Sequence, residues 1–227
     1  MPSRTTHARP LPDSEVHRPE TMSKRILGLA WDDVLPLSVS GLMVRAGSFE
    51  RDGLPFVRAS YEALFGGASE AGRFLSDPET DAKRRFAAEM DTLCLCDGPR
   101  TVGLLIGHPL DWSTYYWRSV ALLPEHRARG VLAQIMERTY APLAAAGVER
   151  VEGECSPTNA PMMRTLVKLG FVVTATTNSE RWGATVRFTK FLRDEAEEVF
   201  GRQFCRVRAR GVQAQGTIHP LQGRKAP

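Results

Sequence analysis

The middle of the chain has an extended pattern, then a helical one, then a second extended one, an order that few folds accommodate. An extended run, YYWRSVALLP, ends at Pro124, and an apolar helical pattern begins seven residues later. This pattern, from Val131 to Leu143, places its apolar side chains on one side of a predicted helix, and a second extended run, GVERVEGECS, follows it. Strand, helix and strand in this order predict a right-handed crossover that joins two parallel strands.

The rest of the chain adds antiparallel elements to this unit. DTLCLCDG and TVGLLIGHPLD flank the turn DGPR and predict a hairpin, and FVVTATTN with ATVRFTKFL predicts another. PTNAPMMRTLVKLGF is typical of a helix that ends at a glycine. We therefore predict one α/β (α+β) domain over residues 25–193, with a mixed, mostly antiparallel sheet and helices on both faces.

Both ends of the chain lie outside this predicted domain. Residues 1–24 show no apolar periodicity, and we expect a disordered tail there. Residues 194–227 predict a short helix, RDEAEEVFGR, followed by a basic disordered tail. Six basic residues and no acidic residue follow Gly201, although the whole chain carries a net charge of only +4. We expect the tail to be solvated rather than bound to nucleic acid, since no aromatic residue follows Phe204 to stack on bases.

Composition narrows the class of protein further. Among the 227 residues, 42% are hydrophobic, and no apolar run approaches the length that spans a bilayer. The first 25 residues lack the apolar core of a signal peptide, so we expect a cytoplasmic protein without a membrane partner. Its four cysteines match no zinc or redox motif, which predicts free thiols and no metal.

The turn before the predicted crossover helix has the features of an anion site. The first N–H groups of a helix have no intrahelical acceptor, and the helix dipole adds positive potential there. Arg127 and Arg129 add charge, and Gly130 allows a ligand to approach the backbone. These residues predict a phosphate-bearing ligand, although a tight turn with solvated arginines remains the alternative.

With its flanking elements, this turn resembles the GNAT superfamily of acyl-CoA-dependent N-acyltransferases. The superfamily signature is Q/R-x-x-G-x-G/A at the start of a helix, and this chain has Arg127-Ala128-Arg129-Gly130-Val131-Leu132 after VALLPEH. Asn159 begins a helix that closes with KLGF, a second feature common in the superfamily. The resemblance covers roughly residues 93–192. It implies a GNAT-like sheet in which two parallel strands splay apart around acetyl-CoA, the acyl donor.

The resemblance also implies roles for particular residues. Backbone groups of Ala121, Leu122 and Leu123 would bind the pantetheine arm as an added strand does. Asn159 would either contact the pantetheine or cap its own helix. The pyrophosphate would lie on the backbone amides of Arg127, Ala128, Arg129, Gly130, Val131, Leu132 and Ala133.

Two positions depart from the family pattern. Leu132 stands where glycine or alanine is usual, and its side chain either crowds the pyrophosphate or turns into the core. Leu166 stands where many members have a tyrosine that protonates the leaving thiolate. Tyr116 is our substitute candidate for that acid, with Tyr115 beside it. Glu154 is our candidate base for the incoming amine, with Glu152 and His108 as alternatives.

These features favour an enzyme that moves an acetyl group directly from acetyl-CoA to a primary amine of a small molecule, peptide or protein. One alternative is another donor, such as a longer acyl-CoA or a carrier-protein thioester. Another is an acyl-CoA-binding module without catalysis, which the two departures would fit. The resemblance also leaves a homodimer open.

Overall fold

The strands of the protein form one eight-stranded sheet in a computed structural model that describes residues 20–65, 80–179 and 183–203. Its order is β1-β2-β3-β4-β5-β6-β8-β7. The strands are β1 (Leu37–Val39), β2 (Leu42–Gly47), β3 (Asp91–Asp97), β4 (Arg100–Pro109), β5 (Thr114–Leu122), β6 (Arg150–Cys155), β7 (Val172–Ser179) and β8 (Gly183–Phe191). Only β5 and β6 pair in parallel, which confirms the predicted mixed sheet.

Six α-helices occur within the described ranges. They are α1 (Met22–Leu27), α2 (Leu54–Phe65), α3 (Asp81–Glu89), α4 (Val131–Ala145), α5 (Ala160–Lys168) and α6 (Asp194–Gln203). Helix α4 is the predicted crossover between the parallel strands, and α6 is the predicted short helix after the domain. A π-helical turn at Phe49–Gly53 leads into α2. No helix in the described ranges is both long and apolar enough to cross a membrane.

The parallel pair separates part of the way along its length. β5 and β6 are paired from Thr114 opposite Arg150 to Trp117 opposite Gly153, and no further. Beyond that point β5 remains paired with β4, and β6 remains paired with β8. The two strands therefore diverge while each keeps its other neighbour.

A β-bulge coincides with the point of divergence. Ser119 lies opposite Ile106 of β4 and Trp117 lies opposite Gly107, so Arg118 is the extra residue in β5. A bulge bends its strand and increases the local twist. The bulge at Arg118 thus gives a physical reason for β5 to turn away from β6 after Trp117.

Adjacent residues of β5 point to opposite faces of the sheet, and helices cover both faces. Tyr116 packs against His108 with ring centroids 5.7 Å apart, and Phe86 of α3 covers His108 at 5.2 Å. Tyr115 lies on the other face, against Trp31 of a short 3₁₀ turn. We call these surfaces the Tyr116 face and the Tyr115 face.

Helix α1 belongs to the domain, which corrects the predicted end of the N-terminal tail at residue 24. Thr21 caps the helix by accepting a hydrogen bond from the Lys24 N–H. Met22 is buried against Met90 and Ile106, and Ser23 donates to the buried carboxylate of Asp91. A marked apolar periodicity is absent because the helix has only six residues. Residues 1–19 and 204–227, where disordered tails were predicted, lie outside the described residues.

Cys94 and Cys96 are free and buried, as predicted for core cysteines. The Sγ atom of Cys94 fills the space where a side chain at Gly47 would stand. Burial raises the pKa of the Cys94 thiol to about 12, which keeps it unreactive at neutral pH. Cys155 is also free and is partly exposed, whereas Cys205 lies outside the described residues.

Candidate functional site

The diverging strands open a cleft of about 950 Å³. The cleft begins beside Phe86 of α3, passes between β5 and β6, and reaches Met136 of α4 and Leu166 of α5. Ala121 and Cys155 line it where the strands are apart. A ligand in this cleft therefore contacts helices at both ends and exposed strand edges in the middle.

The turn from β5 to α4 presents unbonded N–H groups. Ala128 and Gly130 both adopt left-handed backbone conformations, with φ of 59° and 72°. The N–H of Gln134 bonds the Gly130 carbonyl at 3.1 Å. The N–H groups before Gln134, those of Val131, Leu132 and Ala133, form the first helical turn and have no acceptor within the helix. The positive end of the helix dipole coincides with these donors, so an anion is favoured there.

Arg127 stabilises the turn through its guanidinium. Its Nε atom donates to the carbonyl of Leu122 at 2.7 Å, and Nη2 lies 3.4 Å from the carbonyls of Ala63 and Leu64 in the last turn of α2. These contacts join β5, the turn and α2. Arg129 is exposed and has no ion pair or side-chain hydrogen bond among the described residues, so it is the freer of the two cations.

The three residues expected to bind pantetheine differ in whether their backbone N–H and carbonyl groups are free. Ala121 lines the cleft. The Leu122 carbonyl already accepts from Arg127. Leu123 uses both its backbone groups, since its N–H donates to Val102 at 2.9 Å and its carbonyl accepts from His126 at 3.0 Å. Ala121 lies opposite Leu104 two residues before Leu123, so the backbone groups of both residues point to β4. The edge available to a ligand is therefore formed by the backbone of Val120 and by the Leu122 N–H.

Leu132 turns its side chain into the protein. Val131 is buried, and Leu132 and Ala133 are partly buried against the main core. None of residues 127–133 belongs to the described lining of the cleft, so the packing of Leu132 against the core is what indicates its direction. Of the two alternatives left open by the sequence, the structure therefore supports the turn into the core, and the Leu132 N–H keeps its place at the helix start.

Asn159 caps α5 and also lines the cleft. Its Oδ1 atom accepts from the Met162 N–H at 3.2 Å. The side-chain NH₂ group, which no recorded hydrogen bond uses within the described residues, remains as a donor. The two alternative roles for Asn159 are therefore compatible.

Glu154 is held by three side chains. Its Oε1 atom accepts two hydrogen bonds from Arg187, at 2.8 and 2.6 Å. Its Oε2 atom accepts from Thr185 at 2.9 Å and from Thr177 at 3.4 Å. A carboxylate bonded at both oxygens, with a bidentate arginine, is poorly arranged to remove a proton from a ligand.

Glu152 lies on the same strand face and is less constrained. Its oxygens make only long ion pairs, 3.8 Å to Arg150 and 3.7 Å to Arg187. It lines the cleft, its side chain is 13% exposed, and its register partner across the parallel pair is Tyr116. Glu152 is therefore the carboxylate with accepting capacity left for a ligand or a water molecule.

Tyr116 lines the cleft next to Glu152. Burial raises the pKa of its phenol, and the negative charge of Glu154 raises it further. The phenol consequently keeps its proton at neutral pH and is able to donate it. His108 lies behind Phe86 and Tyr116, with Nδ1 3.0 Å from the Pro109 carbonyl, and is not part of the described cleft lining.

The cleft lining includes charged residues that sequence reasoning did not single out: Glu50, Lys83, Arg84 and Arg118. Arg118 lines the cleft at the bulge of β5. A bulge has no reliable sequence signal, and the unbroken extended pattern YYWRSVALLP gave none. Leu166, which replaces the expected tyrosine, is buried and contributes only apolar surface to the cleft.

Comparisons with known proteins agree with this geometry. The model of the acetyltransferase (GNAT) family matches residues 58–171. The structure is similar to that of YncA from Salmonella typhimurium with its cofactor acetyl-CoA, at 17% identity and a TM-score of 0.50, over 68% of this chain and 96% of that one. It is equally similar to Ard1 from Thermoplasma volcanium, at 17% identity and 0.50, over 68% and 99% of the two chains. No curated protein matched the sequence. At these identities the two structures show the shared fold.

Proposed function

This chain belongs to the acetyltransferase (GNAT) family, and from that premise we propose that it moves an acetyl group from acetyl-CoA to a primary amine. The observation that carries the proposal is the cleft that runs between the separated strands to Met136 of α4 and Asn159 at the start of α5, because the free N–H groups at the start of α4 lie only three to five residues before Met136. A long, flexible donor with a charged end needs such a continuous path. A cytoplasmic location, where acetyl-CoA and amines meet, remains part of the proposal.

The donor would bind along the cleft with its pyrophosphate at the start of α4. The N–H groups of Val131, Leu132 and Ala133, the open space at Gly130 and the charge of Arg129 favour that placement. The pantetheine would add to the free edge of β5 at Val120 and Leu122, and Asn159 would donate its NH₂ group. The thioester would then lie between the strands, where Tyr116 and Glu152 line the cleft.

The reaction requires one base and one acid. We propose Glu152 rather than Glu154 as the base, because Arg187 and two threonines already occupy the carboxylate of Glu154. Glu152 would take a proton from the ammonium, directly or through water, and the amine would attack the thioester carbonyl. Backbone N–H groups at the bulge would stabilise the developing oxyanion. The C–S bond would then break, and Tyr116 would donate its proton to the thiolate. The nitrogen would lose its second proton to the Tyr116 phenolate, directly or through water, which restores the phenol.

A purely acyl-CoA-binding protein is the second candidate, and Leu166 is the observation that favours it. An apolar side chain there removes the proton donor that many relatives have. Calorimetric titration with acetyl-CoA and with free CoA tests the binding site, using wild type, Gly130→Glu and Gly147→Glu. Gly147 is a matched control because it also has a positive φ, of 89°, with open space around it, but lies after α4.

We expect wild type and Gly147→Glu to bind acetyl-CoA and Gly130→Glu to lose binding. Binding that survives in Gly130→Glu would contradict the placement of the pyrophosphate. A screen of primary amines, read by thiol release and by the mass of the acetylated product, then tests transfer. Tight acetyl-CoA binding without transfer to any amine would favour the second candidate, an acyl-CoA-binding protein without catalysis.

A further inference from the structure

Arg118 stands out among the charged residues of the cleft by its place in the sheet. It is the extra residue of the β5 bulge and follows Trp117, the last residue paired with β6. A bulge redirects a side chain away from the regular alternation of its strand. At this position, the side chain lies where the cleft opens between the strands.

The guanidinium of Arg118 lies on the Tyr116 face. Its positive charge contributes to lowering the pKa of His108 and opposes the burial that raises the pKa of Tyr116, so it is close to both rings. Both rings belong to the face that α3 covers. Arg118 has no hydrogen bond or ion pair recorded with any of the residues in the described ranges.

The other arginines near the reacting centre are already neutralised. Arg187 bonds Glu154 and lies 3.7 Å from Glu152, and Arg150 lies 3.8 Å from Glu152 and 3.9 Å from Asp111. The two arginines thus balance the two cleft glutamates that belong to β6. Arg118 is left as an uncompensated positive charge beside Tyr116.

The wall of the cleft on this side combines apolar side chains with three exposed charged residues, Glu50, Lys83 and Arg84. Helix α3, the π-helical turn and β4 contribute the apolar part: Phe49, Phe86, Ala87, Met90 and Ile106. A cation without a partner beside these apolar side chains favours a ligand that combines an anionic group with an apolar body. A cation alone, or a neutral polar molecule, would leave either the charge or the wall without a partner.

We propose that Arg118 binds the carboxylate of the acceptor, and that the acceptor is an aminocarboxylate with an apolar side chain. The inference rests on the proposed acetyl transfer and names its substrate class. Glu152 of β6 lies opposite Tyr116, two residues before Arg118 on the neighbouring strand. Ordinary strand dimensions put the Cα atoms of Glu152 and Arg118 roughly 8 Å apart. Long side chains at that separation reach the ammonium and the carboxylate of one small zwitterion. The apolar side chain then lies against Phe86 and Met90.

Paired acceptors test the proposal. L-Phenylalanine, L-leucine and L-methionine are compared with their primary amides, which keep the amine and the side chain but lack the carboxylate. Wild type, Arg118→Gln and Arg118→Lys are assayed with acetyl-CoA. The effect of each variant is taken as the ratio of its kcat/KM to that of wild type, so the different basicities of acid and amide cancel.

Arg118→Gln is expected to lower kcat/KM for the amino acids tenfold to a hundredfold, mainly through KM, and to change the value for the amides less than threefold. This range corresponds to the loss of a charge-assisted, bidentate contact. Arg118→Lys keeps the charge without the planar fork and should retain part of the preference. Arg100→Gln, an exposed arginine of β4 that pairs with Glu125, is the control and should leave both acceptor classes unchanged.

Two outcomes would overturn the inference while leaving the proposed function intact. One is acetylation of other amines but of none of these amino acids; the other is an equal loss for acids and amides in Arg118→Gln. If no amine is acetylated at all, the proposed transfer fails instead. Titration of N-acetyl-L-phenylalanine and its amide into the CoA complex then decides whether Arg118 selects a carboxylate. Equal affinity for the two would overturn that selection.

Discussion

At the scale of single residues, the two cleft glutamates make opposite predictions. Glu152→Gln removes the carboxylate with free accepting capacity, and we expect kcat to fall about a hundredfold, a usual loss for a general base. The KM for acetyl-CoA should stay within threefold because Glu152 lies away from the helix end that would hold the pyrophosphate. Steady-state kinetics at saturating donor, with the best acceptor from the amine screen, measures both values.

The matched comparisons for this prediction lie on the same strand and just before it. Glu149→Gln changes a partly exposed carboxylate that pairs with Arg193, and its kinetics should match wild type. Glu154→Gln leaves Arg187 with a neutral hydrogen-bond partner in place of a carboxylate. It should therefore lower the free energy of unfolding while changing kcat less than Glu152→Gln does. If Glu154→Gln loses activity as completely as Glu152→Gln does, Glu152 is not the distinct base that we propose.

Leu132 carries the second residue-scale prediction. Its side chain packs against the core and does not line the cleft, so Leu132→Ala should lower the free energy of unfolding by about 1–2 kcal/mol. The affinity for acetyl-CoA should stay within threefold, because the backbone N–H remains. Urea denaturation and calorimetry measure the two effects. A tenfold gain in affinity would show that the leucine obstructs the phosphate.

At the scale of elements, the turn before α4 contains two left-handed residues, Ala128, which is strained there, and Gly130, which is not. Ala128 has φ of 59°, a left-handed conformation that costs a residue with a side chain about 1–2 kcal/mol. Ala128→Gly removes that strain against a smaller loss of chain entropy, so we expect the free energy of unfolding to rise by about 0.5–1 kcal/mol. Gly130→Ala should lower it by about 1 kcal/mol. Its added Cβ meets only Gln134, at 3.6 Å.

The control for this prediction is an alanine inside helix α4 itself. Ala141 is exposed in the interior of α4, where glycine is about 1 kcal/mol less favourable than alanine. Ala141→Gly should therefore destabilise the protein while Ala128→Gly stabilises it, as measured by urea denaturation. Equal losses in the two variants would mean that the left-handed conformation of Ala128 carries no strain.

The elements that the sequence predicts are those with strong local patterns. Both predicted hairpins, the crossover helix and the helix capped by Asn159 are present because alternation, apolar periodicity and helix-ending glycines specify them locally. The hairpin of β1 and β2 was missed, although its turn, Ser40-Gly41, has two left-handed residues and a Ser-Gly pair that favours such turns. Its first strand has only three residues, too few for a clear alternation.

The site is less predictable than the fold, because its features depend on contacts between distant segments. The anion-binding turn follows from local sequence. The arginine that occupies Glu154 comes from β8, 33 residues away, and the bulge that exposes Arg118 arises where β5 is paired with β4. Neither is visible in a local pattern, so sequence reasoning selected Glu154 over Glu152 and passed over Arg118.

At the scale of the whole molecule, a buried carboxyl joins the N-terminal helix to the sheet. Asp91 of β3 accepts hydrogen bonds from Ser23 of α1 and from the Tyr115 hydroxyl of β5, the latter at 2.9 Å. Its other oxygen has no partner among the described residues. Burial raises the pKa of Asp91 above the usual value, although the hydrogen bonds act in the opposite direction.

This raised pKa predicts how stability depends on pH. Above about pH 4 the unfolded chain loses the Asp91 proton while the folded protein retains it, so the folded state binds more protons. The free energy of unfolding therefore falls as pH rises towards the folded pKa, by up to about 1.4 kcal/mol per pH unit from this group. Asp91→Asn keeps an oxygen for Ser23 and Tyr115 but does not titrate. The difference in unfolding free energy, wild type minus Asp91→Asn, should therefore decrease from pH 4 to pH 8 in urea titrations.

Asp97→Asn separates this effect from the titration of surface groups, because Asp97 is an exposed carboxylate on the same strand. The free energy of unfolding of Asp97→Asn should change with pH as that of wild type does. Of the two variants, only Asp91→Asn should then show a different slope against pH. Parallel curves for wild type and Asp91→Asn would contradict the raised pKa. A divergence in the expected direction would show that anchoring α1 to the sheet depends on a carboxyl that stays neutral. The contribution of this contact to stability would then be greatest below the folded pKa of Asp91, since the contact that holds the first helix weakens as the carboxyl ionises.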